Sequence, residues 1–82
     1  MKITFTEEDW EYLNIIPFCN RLLPAANDCK NGNSYIVDLS IDSWKEVIGF
    51  VAAEANHTKD SETEDILHEI FEKIEYDVSL QK

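Results

Sequence analysis

Between Lys2 and Thr6, apolar Ile3 and Phe5 alternate with polar neighbours, the two-residue period of a strand with one buried face. Ile36, Val37 and Leu39 bring β-branched and aliphatic side chains to a second stretch, which suits another short strand. Elsewhere the period lengthens. Trp44, Val47, Ile48, Val51, Ala52 and Ala55 recur every three or four residues, predicting a helix from Ser40 to about Asn56 with one wide apolar face. Ile66, Leu67, Ile70, Phe71 and Ile74 form the clearest stripe and predict a final helix. Trp10, Leu13 and Ile16, with Tyr12, Cys19 and Leu23 on a neighbouring row, predict a first one.

Polar punctuation sets the boundaries. Thr6 and Ser40 stand where a hydroxyl can accept a bond from a first-turn amide. Glu7, Glu8 and Asp9 follow Thr6, placing carboxylates where the helix dipole favours negative charge. Ser61-Glu-Thr-Glu64 matches the capping box, with serine expected at the cap. Pro17 lacks an amide hydrogen and pushes Ile16 out of the helical region, so a break is expected there, then a short turn from Phe18 to Leu23 closed by Pro24. Asn31-Gly32 tolerates positive φ and predicts a tight reversal before the second strand. The polar segment from His57 to Ser61 is short enough to make its flanking helices antiparallel neighbours. Val78 and Leu80 extend the final helix or fold back, and the last residues fray.

These elements describe an α+β fold in one small domain over residues 1–82. The expected order is β-α-β-α-α, with two short strands covered by about three helices and Trp10, Trp44 and Phe71 filling the space between. A faint repeat runs through it. An offset of 34 residues matches Ile3 with Val37, Thr6 with Ser40, Trp10 with Trp44 and Leu13 with Val47. Shared corner chemistry, a cap followed by an early large apolar residue, accounts for this more economically than duplication. A chain of this size buries only roughly 60% of its unfolded surface, and two strands leave their edges unpaired. A symmetric homodimer joining two pairs into a four-stranded sheet would protect them.

Composition narrows the function. Hydrophobic content of 44% and aromatic content of 11% fit a folded globule. A net charge of −10, with seven scattered lysines and arginines, opposes binding to phosphate backbones, so no direct nucleic-acid contact is expected. No apolar run approaches the ~20 residues that cross a bilayer, so no membrane partner is expected either. The Met1-Lys-Ile start carries no apolar signal segment, which points to the cytoplasm, where Cys19 and Cys29 stay reduced.

Candidate chemistry is sparse. Glu64, His68 and Glu72 are spaced four apart on one helix, a geometry open to a metal but also what any acidic helix with one histidine offers, so no metal is expected. Cys19 falls on an apolar row, as a packing thiol does. With only Gly32 and Gly49 there is no glycine-rich phosphate cradle. Asp38 and Asp42 flank a cap and fit strand alternation and a first-turn acid. No cofactor and no enzymatic activity are expected.

Two features exceed packing. Phe50 lies off the Trp44–Ala55 face beside Gly49, either completing a wide core or marking a contact surface. Asp65, Glu69, Glu72 and Tyr76, with Glu62 one turn earlier, share the outer face of the last helix. That face is a solvated surface or a dock for a basic partner. The leading expectation is a non-enzymatic protein that binds another protein, itself a homodimer, with Phe50, Asp65, Glu69, Glu72 and Tyr76 as candidate contacts. The alternative is an acidic inhibitor, immunity or antitoxin-like protein that masks a basic or nucleic-acid-binding surface by charge mimicry.

Overall fold

A computed structural model describes residues 1–17 and 19–81. Its elements are β1 (Lys2–Thr6), α1 (Glu7–Ile15), α2 (Cys19–Leu22), α3 (Ala26–Cys29), β2 (Lys30–Asn31), β3 (Ser34–Asp38), α4 (Ile41–His57) and α5 (Ser61–Ser79). The fold is α+β. Its long elements are the two strands and three helices read from periodicity; α2 falls within the short turn expected from Phe18 to Leu23, and the structure adds the single-turn α3 and the two-residue β2. Phe18, expected to open the turn after Pro17, and Lys82, expected to fray, lie outside the described residues.

The sheet is antiparallel with β3 in the middle, in the order β1-β3-β2. β2 and β3 form a hairpin in which Asn31 faces Ser34, and Gly32 takes the left-handed φ of 62° that the reversal requires. β1 pairs with β3 in the register Ile3–Val37 and Phe5–Tyr35. Ile3, Phe5 and Val37 point into the core, whereas Lys2, Thr4, Thr6 and Asp38 are exposed. All helices therefore share one face of the sheet. The shortest dimension, 19 Å, is that of two layers.

Both strand-to-helix corners turn on a hydroxyl, as expected. Thr6 Oγ1 accepts from the Asp9 amide at 3.2 Å, and Ser40 Oγ accepts from the Ser43 amide at 3.2 Å. Each cap is followed by a buried indole. Trp10 stacks on Tyr35 with centroids 4.6 Å apart and planes 3° from parallel. Trp44 meets Phe5 at 6.0 Å in a tilted contact. Because Phe5 and Tyr35 are cross-strand neighbours, four aromatic rings form a row from one corner to the other, Trp10–Tyr35–Phe5–Trp44.

Trp44 makes one further bond. Its indole N–H donates to the Met1 carbonyl at 2.8 Å, which also accepts from the Leu39 amide at 3.1 Å. The Met1 nitrogen returns a bond to the Leu39 carbonyl at 2.8 Å. One carbonyl thus joins the start of β1, the exit from β3 and the first turn of α4.

The break at Pro17 has its expected cause. Ile16 sits at φ −76°, ψ 120°, the extended geometry forced on a residue before proline, and α1 ends at Ile15. The cap of α5 differs from the sequence reading. Asp60, not Ser61, is the cap: its Oδ1 accepts from the Glu62 amide at 3.2 Å and its Oδ2 from the Thr63 hydroxyl at 2.8 Å. An ionised carboxylate accepts both bonds at once and interacts better with the helix dipole than a hydroxyl does, so it takes the position.

The two caps can be told apart by denaturation. Asp60→Ala should lower stability by about 1 kcal/mol, whereas Ser61→Ala should stay within about 0.5 kcal/mol of wild type. Urea titrations of both variants give the comparison, and a larger loss at Ser61 would reverse the assignment.

Candidate functional site

The candidate surface is the outward side of α5. A helix advances about 100° per residue, so spacings of four, three and four bring Asp65, Glu69, Glu72 and Tyr76 into one line. Leu67, Ile70 and Ile74 are buried on the opposite side. All four outward side chains are exposed, with Tyr76 keeping 64% of its surface in water. Leu80, one turn beyond Tyr76, is 63% exposed. The stripe is thus acidic along its length and apolar at its C-terminal end.

Neighbouring charges leave this stripe largely uncompensated. The His68 imidazole lies 3.7 Å from a Glu64 carboxylate oxygen, an exposed pair one turn apart that contributes little stability even when the histidine is protonated. The Lys73 ammonium stands 5.4 Å from the Phe5 ring centroid, so this cation is turned toward the sheet. Among the described residues, no three His, Cys, Asp or Glu side chains converge to hold a metal ion.

Phe50 is not part of this surface. It is half-buried and packs against the core. Ala52, Ala55 and Asn56 of α4 line a crevice of about 50 Å³ with His68 and Phe71 of α5. Residues two apart on a helix face different ways, so Phe50 belongs to the flank of α4 away from α5.

A feature outside the sequence reading lies between α1 and α5. Glu11, Tyr12, Ile15 and Thr63 line an open groove of about 380 Å³, and Ile15 is 69% exposed. Its one signal in the sequence is phase: Ile15 falls on neither apolar row of the first helix, so nothing in that helix requires it to be apolar.

The thiols are packing groups. Cys19 and Cys29 are free and buried. Burial pushes the Cys19 thiol up from 9.0 to about 11. Burial also raises Cys29, with the Asp28 carboxylate adding to the shift, and its sulfur lies 3.6 Å from the Ala25 carbonyl. A thiol held protonated is a poor nucleophile.

No helix among the described residues is long and apolar enough to cross a membrane. Compared with known proteins, the chain matches no family model, no curated protein and no solved structure.

The Cys19 shift carries a pH dependence. Because the folded-state value lies above the unfolded one, this thiol's contribution is complete below pH 9.0 and is lost as pH rises through about 11. Stability measured against pH should fall over that window in wild type and fall less in Cys19→Ala. Equal slopes in the two proteins would place the thiol in water.

Proposed function

We propose that this chain is a non-enzymatic cytoplasmic protein that acts by binding another protein, and does so as a homo-oligomer. The observation that carries the reading is the pairing of Tyr76 and Leu80, both more than 60% exposed, at the end of a line of carboxylates. A face that serves solubility needs charge alone. Single exposed apolar residues are ordinary, but an aromatic and a leucine on adjacent turns form a small apolar patch with an acidic border. Tyrosine is favoured as an anchor at interfaces because its large ring loses little freedom when fixed. The carboxylates of Asp65, Glu69 and Glu72 steer a basic partner toward that anchor and orient it.

Charge mimicry uses the same carboxylates and the net charge of −10. An acidic inhibitor, immunity or antitoxin-like protein that masks a basic surface would bind through charge along the whole stripe. Its patch is the same Asp65–Glu72–Tyr76 face, but charge alone draws no affinity from the apolar surface of Tyr76 and Leu80, which is why the apolar pair favours the first reading.

Salt separates the two. Raising ionic strength from 0.15 to 1 M shortens the screening distance from about 8 to about 3 Å. On the proposed reading, a co-purified partner stays bound through that titration and is lost in Tyr76→Ala/Leu80→Ala, whereas Glu69→Lys/Glu72→Lys slows association. Release of the partner by moderate salt, with the alanine pair binding as wild type does, would establish charge mimicry instead.

A further inference from the structure

The outer edge of β1 is the least protected backbone in the sheet. Hydrogen-bonded and non-hydrogen-bonded pairs alternate along an antiparallel ladder. Met1 and Leu39 exchange bonds in both directions, at 2.8 and 3.1 Å, which fixes the phase. Ile3 and Phe5 therefore also point their amides and carbonyls at β3. Lys2, Thr4 and Thr6 point theirs the other way. Their side chains are exposed, and β3 is the only strand neighbour of β1 among the described residues. The outward amides and carbonyls of Lys2 and Thr4 find no partner among those residues.

Charge along this edge is arranged in opposite senses at its two ends. Lys2, at the start, forms no ion pair among the described residues. Glu7, Glu8 and Asp9 follow the last residue of the strand and crowd the first turn of α1. The edge is thus positive at one end and negative at the other, the pattern that complements itself when two copies run antiparallel.

We propose that β1 is the self-association surface, pairing antiparallel with β1 of a second copy about a two-fold axis at Thr4. This rests on the homo-oligomer reading above and names the surface. With Thr4 opposite Thr4, the outward-pointing residues of both strands fall into hydrogen-bonded positions, and Lys2 lies opposite Thr6 of the second copy. Each lysine then lies opposite the residue that leads directly into the other copy's Glu7 and Glu8 in the first turn of α1, within reach of its long side chain, and this arrangement occurs twice. On the helix-covered face, Ile3 comes opposite Phe5 of the second copy, so the apolar layer continues across the junction. The product is a six-stranded antiparallel sheet in which the long open edge of each monomer is closed. Any other register leaves fewer of the outward groups paired.

Sedimentation equilibrium of the full chain, run across micromolar concentrations, tests this with two variants. Thr4→Pro removes an amide hydrogen that the monomer does not use and places proline at a tolerated edge position. Lys2→Glu turns each attraction into a repulsion. The wild type should sediment as a dimer, and Thr4→Pro as a monomer with unchanged circular dichroism. Lys2→Glu should weaken dimerisation by about tenfold, as the loss of two exposed symmetric charge contacts does, and Glu8→Lys added to it should restore most of the loss. A wild type that is monomeric at high micromolar concentration overturns the homo-oligomer reading and this surface together. A wild-type dimer that persists in both Thr4→Pro and Lys2→Glu overturns the β1 surface alone. Should Thr4→Pro fail to fold, Lys2→Glu and its rescue decide the outcome.

Discussion

The Met1 carbonyl is the point on which the fold closes. It accepts from the Leu39 amide along the sheet and from the Trp44 indole out of it, at 3.1 and 2.8 Å. Both lone pairs of one oxygen are used, and the start of the chain is tied to the distant β3–α4 corner at two points. The geometry also explains why the large side chain at this corner is tryptophan. Any bulky apolar group could fill the space over Phe5, but only one carrying an N–H at its far end also satisfies a strand carbonyl beneath the helix. Buried polar groups are costly unless paired, so the bond fixes where α4 starts relative to β1 and not merely that it packs there.

The other corner has the same grammar and a different ending. Thr6 caps as Ser40 does, and Trp10 is buried as Trp44 is. Ile3 and Val37, matched by the 34-residue offset, are also direct cross-strand partners, so a local two-fold through that pair relates the two corners. Yet Trp10 stacks flat on Tyr35 and makes no indole hydrogen bond to the described residues. It keeps 6% of its surface in water, and no buried side-chain nitrogen or oxygen is left unsatisfied, so that N–H reaches solvent. The aromatic row passes continuously from one corner to the other, but only the Trp44 end is tied to the backbone.

What could be read from the sequence was whatever depends on local chemistry. Alternation gave β1, the 3.6-residue period gave the three long helices, and Pro17 gave the break after Ile15, because each effect acts within a turn of its own residue. The antiparallel pairing of β1 with β3 did not follow, since it joins residues more than 25 positions apart, and β2 did not because two residues such as Lys30 and Asn31 carry no periodicity. The cap of α5 went to Asp60 because two adjacent residues both suit the position and only the path of the incoming chain chooses between them. Among the candidate contacts, the α5 stripe was legible because helix geometry alone aligns Asp65, Glu69, Glu72 and Tyr76. The position of Phe50 was not, because it depends on which flank of α4 the other helices occupy. Ile15 was missed although its phase, off both apolar rows of α1, leaves it exposed: the groove it lines also needs Thr63 from α5, which no local pattern brings beside it.

Edge and stripe follow from this same arrangement. With every helix on one face, the sheet keeps a solvated face and a long edge at β1, and α5 turns its charged side outward. The placement of both rests on the corner at Met1, Leu39 and Trp44. Hydrogen exchange of the two indole N–H groups, followed by NMR in rising urea, measures that corner directly. The account predicts that the Trp44 proton exchanges only through global unfolding, with the urea dependence of the whole domain, while the Trp10 proton exchanges orders of magnitude faster. Trp44 exchange as rapid as that of Trp10, insensitive to urea, would mean that the Met1 carbonyl does not hold the two layers together.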